Sequence, residues 1–207
     1  MTVSPEPNPG LASTLSTRGA PLLEALAQHS PAVAEHAEAS SSYAFSLAAE
    51  LGYDRNRCEL IRNLAKLHEI GQIYIPSSVL EKHEAERDVA EQVMFETHYE
   101  AGAGVARGAG VEEEVCQWLL HQRERYDGSG PRGLAGEQIP IESRLLRAAC
   151  ACHTVLAEPS HGHGVDRAIL RLAGGAGSEL DPGVAATLIA ILERARNALP
   201  TRSAARP

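Results

Sequence analysis

Residues Leu67 to Pro76 read LHEIGQIYIP, and this stretch decides the fold and suggests the site. His68 and Glu69 stand at the end of an apolar helical pattern, and Gly71 and Pro76 follow closely. Glycine and proline commonly mark the end of a helix. The stretch therefore predicts a helix that carries a histidine and a carboxylate at its C-terminal end.

Apolar residues recur at helical spacing on both sides of this stretch, and no segment alternates like a strand for long. The sequence therefore predicts an all-α protein, a helical bundle. Asp181 and Pro182 predict the start of a last helix, because aspartate caps a first turn and proline suits the first helical position. The helical pattern comprises Tyr43, Leu47 and Leu51; Leu60, Ile61, Leu64 and Leu67; Val111, Val115, Trp118 and Leu119; and Leu145, Ala149 and Leu156.

The segment 124–140, ERYDGSGPRGLAGEQIP, contains four glycines and two prolines and is predicted to be a long loop. Loops of this length inside compact domains are usually functional. The Pro-rich residues 1–20 and the closing residues 199–207 are too poor in apolar side chains to order themselves and are predicted to be disordered tails. A single folded domain over residues 21–198 remains.

Composition excludes several classes of function. A formal net charge of −8 argues against general binding to duplex nucleic acid, which depends on excess Lys and Arg. Four cysteines without framework spacing fit reduced thiols and a cytoplasmic protein. No apolar signal region opens the chain, and no apolar run approaches the roughly 20 residues that span a bilayer, so we expect no membrane partner.

Four histidines lie at or near the ends of predicted helices, namely His36, His68, His98 and His121. Imidazoles and carboxylates gathered inside a helical bundle are suited to divalent Fe, Mn or Zn. The alternative is that each is an ordinary core histidine. His68 lies on the apolar stripe of Ile61 and Leu64, and a lone histidine there is more often a hydrogen-bonded core residue than a metal ligand. Spacing alone leaves both interpretations open.

The order of several short motifs resembles the HD-GYP family, bacterial metal-dependent phosphodiesterases that hydrolyse cyclic di-GMP. LHEIGQIYIPSSVLEK is similar to the family's Leu-His-Asp-Ile-Gly-Lys segment, which runs into Ile-Pro and a downstream lysine. THYEAG is similar to its third histidine motif, and HQRERYDGSGP to its double-histidine and glycine-rich loop. GLAGEQIPIESRLL and AGGAGSELDP follow in the family's order, so the resemblance spans roughly residues 20–195 and implies an HD-domain-like bundle.

The resemblance implies a divalent metal site, with Fe, Mn or Zn bound at full or partial occupancy. Glu69 takes the place of the family's aspartate and is the candidate catalytic residue, with its carboxylate moved outward by about 1.5 Å. Cys150 stands at another aspartate position, where a thiolate favours Zn or similarly soft ions. The candidate metal ligands are His36, His68, Glu69, His98, His121 and Cys150.

The sequence departs from the family pattern at further positions. Gln122 replaces the adjacent second histidine, Gln72 replaces the lysine after Ile-Gly, and Gly130 directly precedes Pro131 where the naming tyrosine would stand. An amide is a poor metal ligand, and a cation that could hold phosphate is lost. The candidate substrate-binding residues are Arg144, Arg132 and Lys82, and Arg123 and Arg125 are further arginines near the loop.

Two functions follow from this pattern. The departures favour a non-catalytic or weakly active nucleotide-signalling module that retains a partial metal site. The alternative is a metal-dependent phosphodiesterase or phosphohydrolase acting on cyclic di-GMP or a related phosphoester. The expected ligand is a cyclic dinucleotide or another phosphoester, and the expected protein partner is a regulatory protein or a second copy of the chain.

Overall fold

The computed structural model describes residues 10–158 and 163–198, and within them it confirms the all-α prediction. The only β pairing among these residues is an isolated bridge between Ala176 and Leu180. Short 3₁₀ turns occupy Ile70–Tyr74, Glu84–Glu86 and Gly136–Gln138. The helices are α1 Leu11–His29, α2 Pro31–Glu50, α3 Arg55–Leu67, α4 Ser77–Leu80, α5 Val89–Glu96, α6 His98–Gly108, α7 Glu113–Leu120, α8 Ile141–Ala157, α9 Gly164–Gly175 and α10 Pro182–Ala198.

Side-chain caps start several of these helices. The Asp54 carboxylate accepts a hydrogen bond from Arg57 N at 2.8 Å and starts α3. Asp88 and Glu91 form a reciprocal capping box at α5. Asp181 accepts from Gly183 N and Val184 N at 2.8 and 3.1 Å, which confirms the predicted start of α10.

The core is built around α3, which packs against α1, α2, α7 and α8. Leu47, Leu64 and Leu145 are fully buried there, as their helical spacing predicted. Trp118 is 5% exposed and joins the same core from α7. The end of α3, where His68 and Glu69 lie, is therefore held from several sides.

The ordered domain begins earlier than the sequence predicted. Helix α1 starts at Leu11, inside the segment 1–20 that was predicted to be a disordered tail, and Leu11 and Leu15 are buried in the core. The prediction failed because these two leucines are four residues apart and form a helical face that the surrounding Pro, Ser and Thr residues obscure. Residues 1–9 and 199–207 lie outside the described part of the chain.

A close backbone contact sets the position of the site. The 3₁₀ turn Ile70–Tyr74 packs against α6. A Cβ on Gly71 would lie 2.6 Å from Gly102 N and 2.8 Å from the carbonyl carbon of His98, too close for any side chain. Glycine at position 71 thus lets α6 approach, and His98 is brought beside Glu69.

The predicted glycine-rich loop is present and is organised around one buried carboxylate. Glu124 is 3% exposed and accepts hydrogen bonds from Arg132 N at 2.8 Å and Leu134 N at 3.1 Å. At Gly130 a Cβ would lie 2.6 Å from Arg125 N, so the loop folds back tightly at that point. Among the described helices, none has the length and apolar character needed to cross a bilayer.

Candidate metal centre

Five predicted ligands come together where four helices converge. His36 lies within α2, His68 and Glu69 follow the end of α3, His98 opens α6, and Cys150 lies within α8. The nearest ligand atoms of His36, His68 and Glu69 all lie within 4.8 Å of one another. His98 contacts Glu69, and Cys150 interacts with His36 and His68. We call these five residues the histidine cluster.

Glu69 is the centre of the histidine cluster. Its Oε1 lies 3.0 Å from His68 Nε2, and its Oε2 lies 2.9 Å from His98 Nε2. Burial alone would raise the pKa of Glu69, but the adjacent His68 and His98 imidazoles hold that pKa well below its usual range. Glu69 therefore remains an anion at neutral pH.

Two of the imidazoles have their tautomer determined by the backbone. His68 Nδ1 lies 2.6 Å from the carbonyl oxygen of Ala65, and His98 Nδ1 contacts that of Phe95. A carbonyl oxygen only accepts, so each Nδ1 must carry the proton. In a neutral ring this leaves Nε2 with a free lone pair, which is the usual arrangement of a metal-binding histidine.

The geometry around Nε2 fits a cation. The Nε2 atoms of His68 and His98 are buried, and among the described residues neither has a partner in hydrogen-bonding geometry, although each approaches a Glu69 oxygen closely. Two atoms with facing lone pairs repel at such distances unless a cation or an added proton lies near them. The pKa of His68 shows the same requirement for positive charge at this place. Burial alone would lower this pKa, but Cys150 and Glu69 raise it well above its usual range. A divalent metal satisfies this demand, so the donor set fits the ion.

Cys150 adds a soft donor beside His68 and His36. Its thiol interacts with the imidazoles of His68 and His36; burial opposes ionisation, yet these two rings lower the pKa of Cys150 to about 6. The thiol is therefore largely thiolate at neutral pH, the form that binds metal. His153, one helical turn after Cys150, places its ring centroid 4.8 Å from that of His36. His153 therefore lies beside the cluster.

His121 is not part of the three-residue group of ligand atoms within 4.8 Å found among the described residues. It follows the end of α7, and its Nδ1 is buried and has no hydrogen-bond partner in the part of the chain that the structure describes. Gln122 and Gln72 direct amide groups into the site. Gln122 Nε2 donates to the carbonyl oxygen of His68 at 3.1 Å, and Gln72 Nε2 donates to Glu69 Oε2. Gln122 therefore holds the backbone at His68, and Gln72 holds the Glu69 carboxylate. Each uses its amide nitrogen for this contact and not its amide oxygen, the atom that could bind a metal.

The three predicted substrate-binding cations are already paired with carboxylates. Each of the three ion pairs has a nitrogen to oxygen distance of 2.5 Å. In each pair a carboxylate already balances part of the positive charge, while further N–H groups of the cation remain as donors. Sequence spacing could not show this, because the partners lie far along the chain or on another helix. The pairs are Arg144 with Asp181, Arg132 with Glu100, and Lys82 with Glu91.

Sequence reasoning missed Tyr99, which extends the site beyond the cluster. Its ring centroid lies 3.7 Å from that of His98. Burial and then the charge of Glu69 raise the pKa of Tyr99, so the phenol stays neutral. Arg123 also stands over this ring, with its guanidinium carbon 4.8 Å from the centroid. The signal in the sequence was only that a tyrosine directly follows a candidate ligand.

Comparison with known proteins agrees with this architecture. The family model described as an HD domain matches residues 21–184. The chain belongs to the HD domain family. The match covers most of the residues from α1 to the start of α10, and so includes every member of the histidine cluster.

Relatives of this HD domain carry names that confirm the predicted HD-GYP resemblance. One is the cyclic di-GMP phosphodiesterase PdeB of Borreliella burgdorferi, 30% identical over 117 residues, which is 56% of this chain and 31% of the relative. Another is the cyclic di-GMP phosphodiesterase response regulator RpfG of Xanthomonas campestris pv. campestris, 35% identical over 117 residues, 54% of this chain and 30% of the relative. The chain thus spans about a third of the length of these curated relatives.

A solved structure with low sequence identity to this chain supports the same fold. Bd1817, described as a HDG"Y"P protein from Bdellovibrio bacteriovorus, superposes with a TM-score of 0.62 at 18% identity. The superposition covers 78% of this chain and 52% of Bd1817. The helical bundle of this chain is therefore an HD-domain bundle.

Proposed function

We propose that this HD domain is a metal-dependent phosphodiesterase acting on a cyclic dinucleotide or a related phosphodiester. The observation that carries the proposal is the pair of buried Nε2 atoms on His68 and His98. They lie 3.0 and 2.9 Å from the Glu69 carboxylate oxygens, and within the described part of the chain neither has a partner in hydrogen-bonding geometry. The names of the curated relatives support the substrate class.

In this proposal His36, His68, Glu69, His98 and Cys150 hold the metal. When bound, a divalent metal supplies Lewis-acid polarisation of the phosphodiester. The chain's own contribution is orientation: the carbonyl oxygens of Ala65 and Phe95 keep the protons on Nδ1 of the two histidines. Glu69 acts as an anionic ligand, since its low pKa makes it a weak general base.

The soft donors in the cluster support one choice of metal. Thiolate and imidazole together favour Zn over Mn, whereas carboxylate and water suit Mn. Cys150 stands within reach of two imidazoles and is ionised near neutral pH. We therefore propose Zn, or Fe as the next candidate, at the position shared by His36, His68 and Cys150.

A second candidate function is a non-catalytic nucleotide-binding module. The orientation of Gln72 and Gln122 favours it, because both side chains use their amide nitrogens to donate to groups of the site. The site then offers fewer ligands for a second ion. A module of this kind would bind metal and nucleotide without turnover.

One experiment separates the two functions. Purified protein is supplied with Zn, Fe or Mn and assayed for cyclic di-GMP hydrolysis, beside the variants His68→Ala and His83→Ala. His83 is exposed and outside the cluster, so it is the matched control. Metal-dependent hydrolysis in the parent and in His83→Ala, abolished in His68→Ala, is the expected result. Equal rates in parent and His68→Ala would defeat the phosphodiesterase proposal, and metal binding without turnover would favour the second function.

A further inference from the structure

Helix α5 buries none of its side chains, yet it ends beside a metal ligand. It packs mainly against α6, and Thr97 alone separates the two helices. An element with so little buried apolar surface gains little stability from packing. Individual side-chain contacts therefore decide where α5 lies relative to His98, the first residue of α6.

Phe95, in the last turn of α5, contacts His98 in two ways. Its carbonyl oxygen accepts the hydrogen bond from His98 Nδ1. Its ring meets the imidazole edge-on, with the two centroids 4.7 Å apart and 63° between the ring planes. A rotation of α5 about Thr97 would move both contacts away from the imidazole. The proton on Nδ1, and with it the direction of Nε2 toward Glu69, thus depends on how firmly Phe95 is held.

Arg87 holds the ring of Phe95. Its guanidinium carbon lies 3.7 Å from the centroid of that ring, a close cation–π contact. The guanidinium also donates to the carbonyl oxygens of Val79 at 3.3 Å and Lys82 at 3.2 Å, and Val79 is buried. Lys82 pairs with Glu91 near the start of α5, whereas the Arg87 contact acts on its last turn. Arg87 therefore connects the buried end of α4 to the residue that orients His98.

The chain contains a second pair with the same chemistry in a different setting. It has two phenylalanines, and each carries a guanidinium on its ring. The guanidinium carbon of Arg62 lies 4.0 Å from the centroid of Phe45, between α3 and α2. Phe45 packs against the hydrophobic core, whereas Phe95 lies outside the core cluster of the described residues. The two pairs therefore allow a positioning role to be separated from a purely stabilising one.

We propose that Arg87, stacked on Phe95, is a positioning residue for the metal ligand His98. The stack holds the last turn of α5, so that the Phe95 carbonyl keeps the proton on Nδ1 and Nε2 stays directed at the ion. The proposal rests on the proposed function for its metal, although the contact at Nδ1 exists without the ion. Outer partners of metal-binding histidines typically change metal affinity by about tenfold to a hundredfold. Arg87, which has no contact with the ion, would thus set part of the affinity.

The first test is the Zn affinity of the full chain, measured by titration against a competing chelator. Phe95→Leu removes the ring and keeps an apolar side chain, and Arg87→Met removes the cation and keeps the length. Each is expected to weaken Zn binding by about tenfold. Phe95→Tyr keeps the ring and Arg87→Lys keeps the cation, so both are expected to bind Zn close to the parent.

Phe45→Leu is the matched control, because it removes the same ring from the pair with Arg62. It should lower Tm, since Phe45 packs against the core, and leave the Zn affinity unchanged. Phe95→Leu should do the reverse. It is expected to change the Tm of the metal-free protein little, because no side chain of α5 is buried.

A spectroscopic measurement follows the Nδ1 proton itself. Nitrogen-15 NMR of the histidine-labelled, metal-free protein measures how fast the Nδ1 proton of His98 exchanges with water, with the signal assigned by its loss in His98→Ala. The Nδ1 proton of His68 is the internal reference, since it is held by the Ala65 carbonyl at the end of α3. Phe95→Leu and Arg87→Met are expected to speed the exchange at His98 and to leave the exchange at His68 unchanged.

The outcomes separate this role from the enzyme activity. If Phe95→Leu and Arg87→Met bind Zn as the parent does, or if Phe45→Leu weakens Zn binding as much as they do, the positioning role is refuted. Unchanged exchange at His98 in the two variants refutes it as well, even where cyclic di-GMP is hydrolysed. If Zn affinity and exchange at His98 depend on Arg87 and Phe95 but no cyclic di-GMP is hydrolysed at any metal loading, the positioning role stands and the phosphodiesterase proposal fails.

Discussion

The substitution Gly71→Ala tests how the fold builds the site. The added Cβ would lie 2.6 Å from Gly102 N and 2.8 Å from the His98 carbonyl carbon, where ordinary contact begins at 3.4 Å. The obstacle is backbone, so the 3₁₀ turn and α6 must separate by roughly 1 Å. Overpacking of this kind costs about 1–3 kcal/mol, which in a chain of this size lowers Tm by about 2–12 °C.

The same displacement should weaken the metal site. His98 opens α6 and faces Glu69 across the contact that Gly71 permits. Metal to ligand distances hold within about 0.2 Å, so a shift of roughly 1 Å removes His98 from a shared ion. We expect the affinity for Zn to fall by at least about tenfold.

The assay is thermal unfolding of the metal-free protein, followed by Zn titration against a competing chelator. Gly104→Ala is the matched control, because Gly104 lies on the same helix and a Cβ there meets nothing within 4 Å. It should raise stability by about 0.5–1 kcal/mol, as glycine to alanine does in a helix interior. Unchanged stability and Zn affinity in Gly71→Ala would refute the claim that this contact positions His98.

Three further predictions concern individual side chains. Cys150 should be the first thiol to react with a thiol reagent in metal-free protein, since the other three cysteines are buried, and added Zn should slow that reaction. The labelling is followed by mass spectrometry, and faster labelling of a buried cysteine would contradict the prediction. Cys150→Asp should shift the ratio of Zn to Mn affinity toward Mn by at least about tenfold in competition titrations, because a hard oxygen replaces a soft sulfur. An unchanged ratio of the two affinities would show that Cys150 is not a metal ligand. Glu113 should titrate at about 2 by NMR, since the hydrogen bonds from Arg107 and Gln117 lower its pKa. Its contribution to the free energy of unfolding is present above the ordinary pKa of a glutamate and is lost as pH falls toward 2. Arg107→Gln should raise the pKa of Glu113, and an unchanged titration would contradict this.

The fold could be predicted from the sequence where a pattern is local. The helical spacing around Leu64 and Leu145 and the caps at Asp181 and Pro182 each depend on residues close together in the chain, and each is found in the structure. The start of the domain was misplaced because two buried leucines, Leu11 and Leu15, lie among residues typical of a tail. The overall composition of residues 1–20 is typical of a tail and hides the helical spacing of these two leucines.

The site could be predicted only in part, for a physical reason. His36, His68, Glu69, His98 and Cys150 were selected through motif resemblance, and the fold brings them together. Whether a cation is free depends on partners distant in sequence, such as Asp181 for Arg144, 37 residues away. For the same reason the sequence could not separate Arg123 from the other arginines near the loop, whereas the structure places its guanidinium over the ring of Tyr99.

Two predictions concern the setting of the domain. The cytoplasmic compartment and a regulatory protein partner or second copy of the chain stay predictions. The structure adds one relevant surface: Val89, Val93 and Met94 of α5 are 82%, 61% and 42% exposed. A change in oligomeric state on mutation of this face would show that it is an interface.

The metal content of the purified chain tests the account most directly. Elemental analysis is made on protein prepared without a histidine tag or chelator, beside a His68→Ala, His98→Ala double variant and the control His83→Ala. The account predicts about one Zn or Fe per chain in the parent and the control, and none in the double variant. A folded parent that holds no metal and takes up none when ions are added would contradict it.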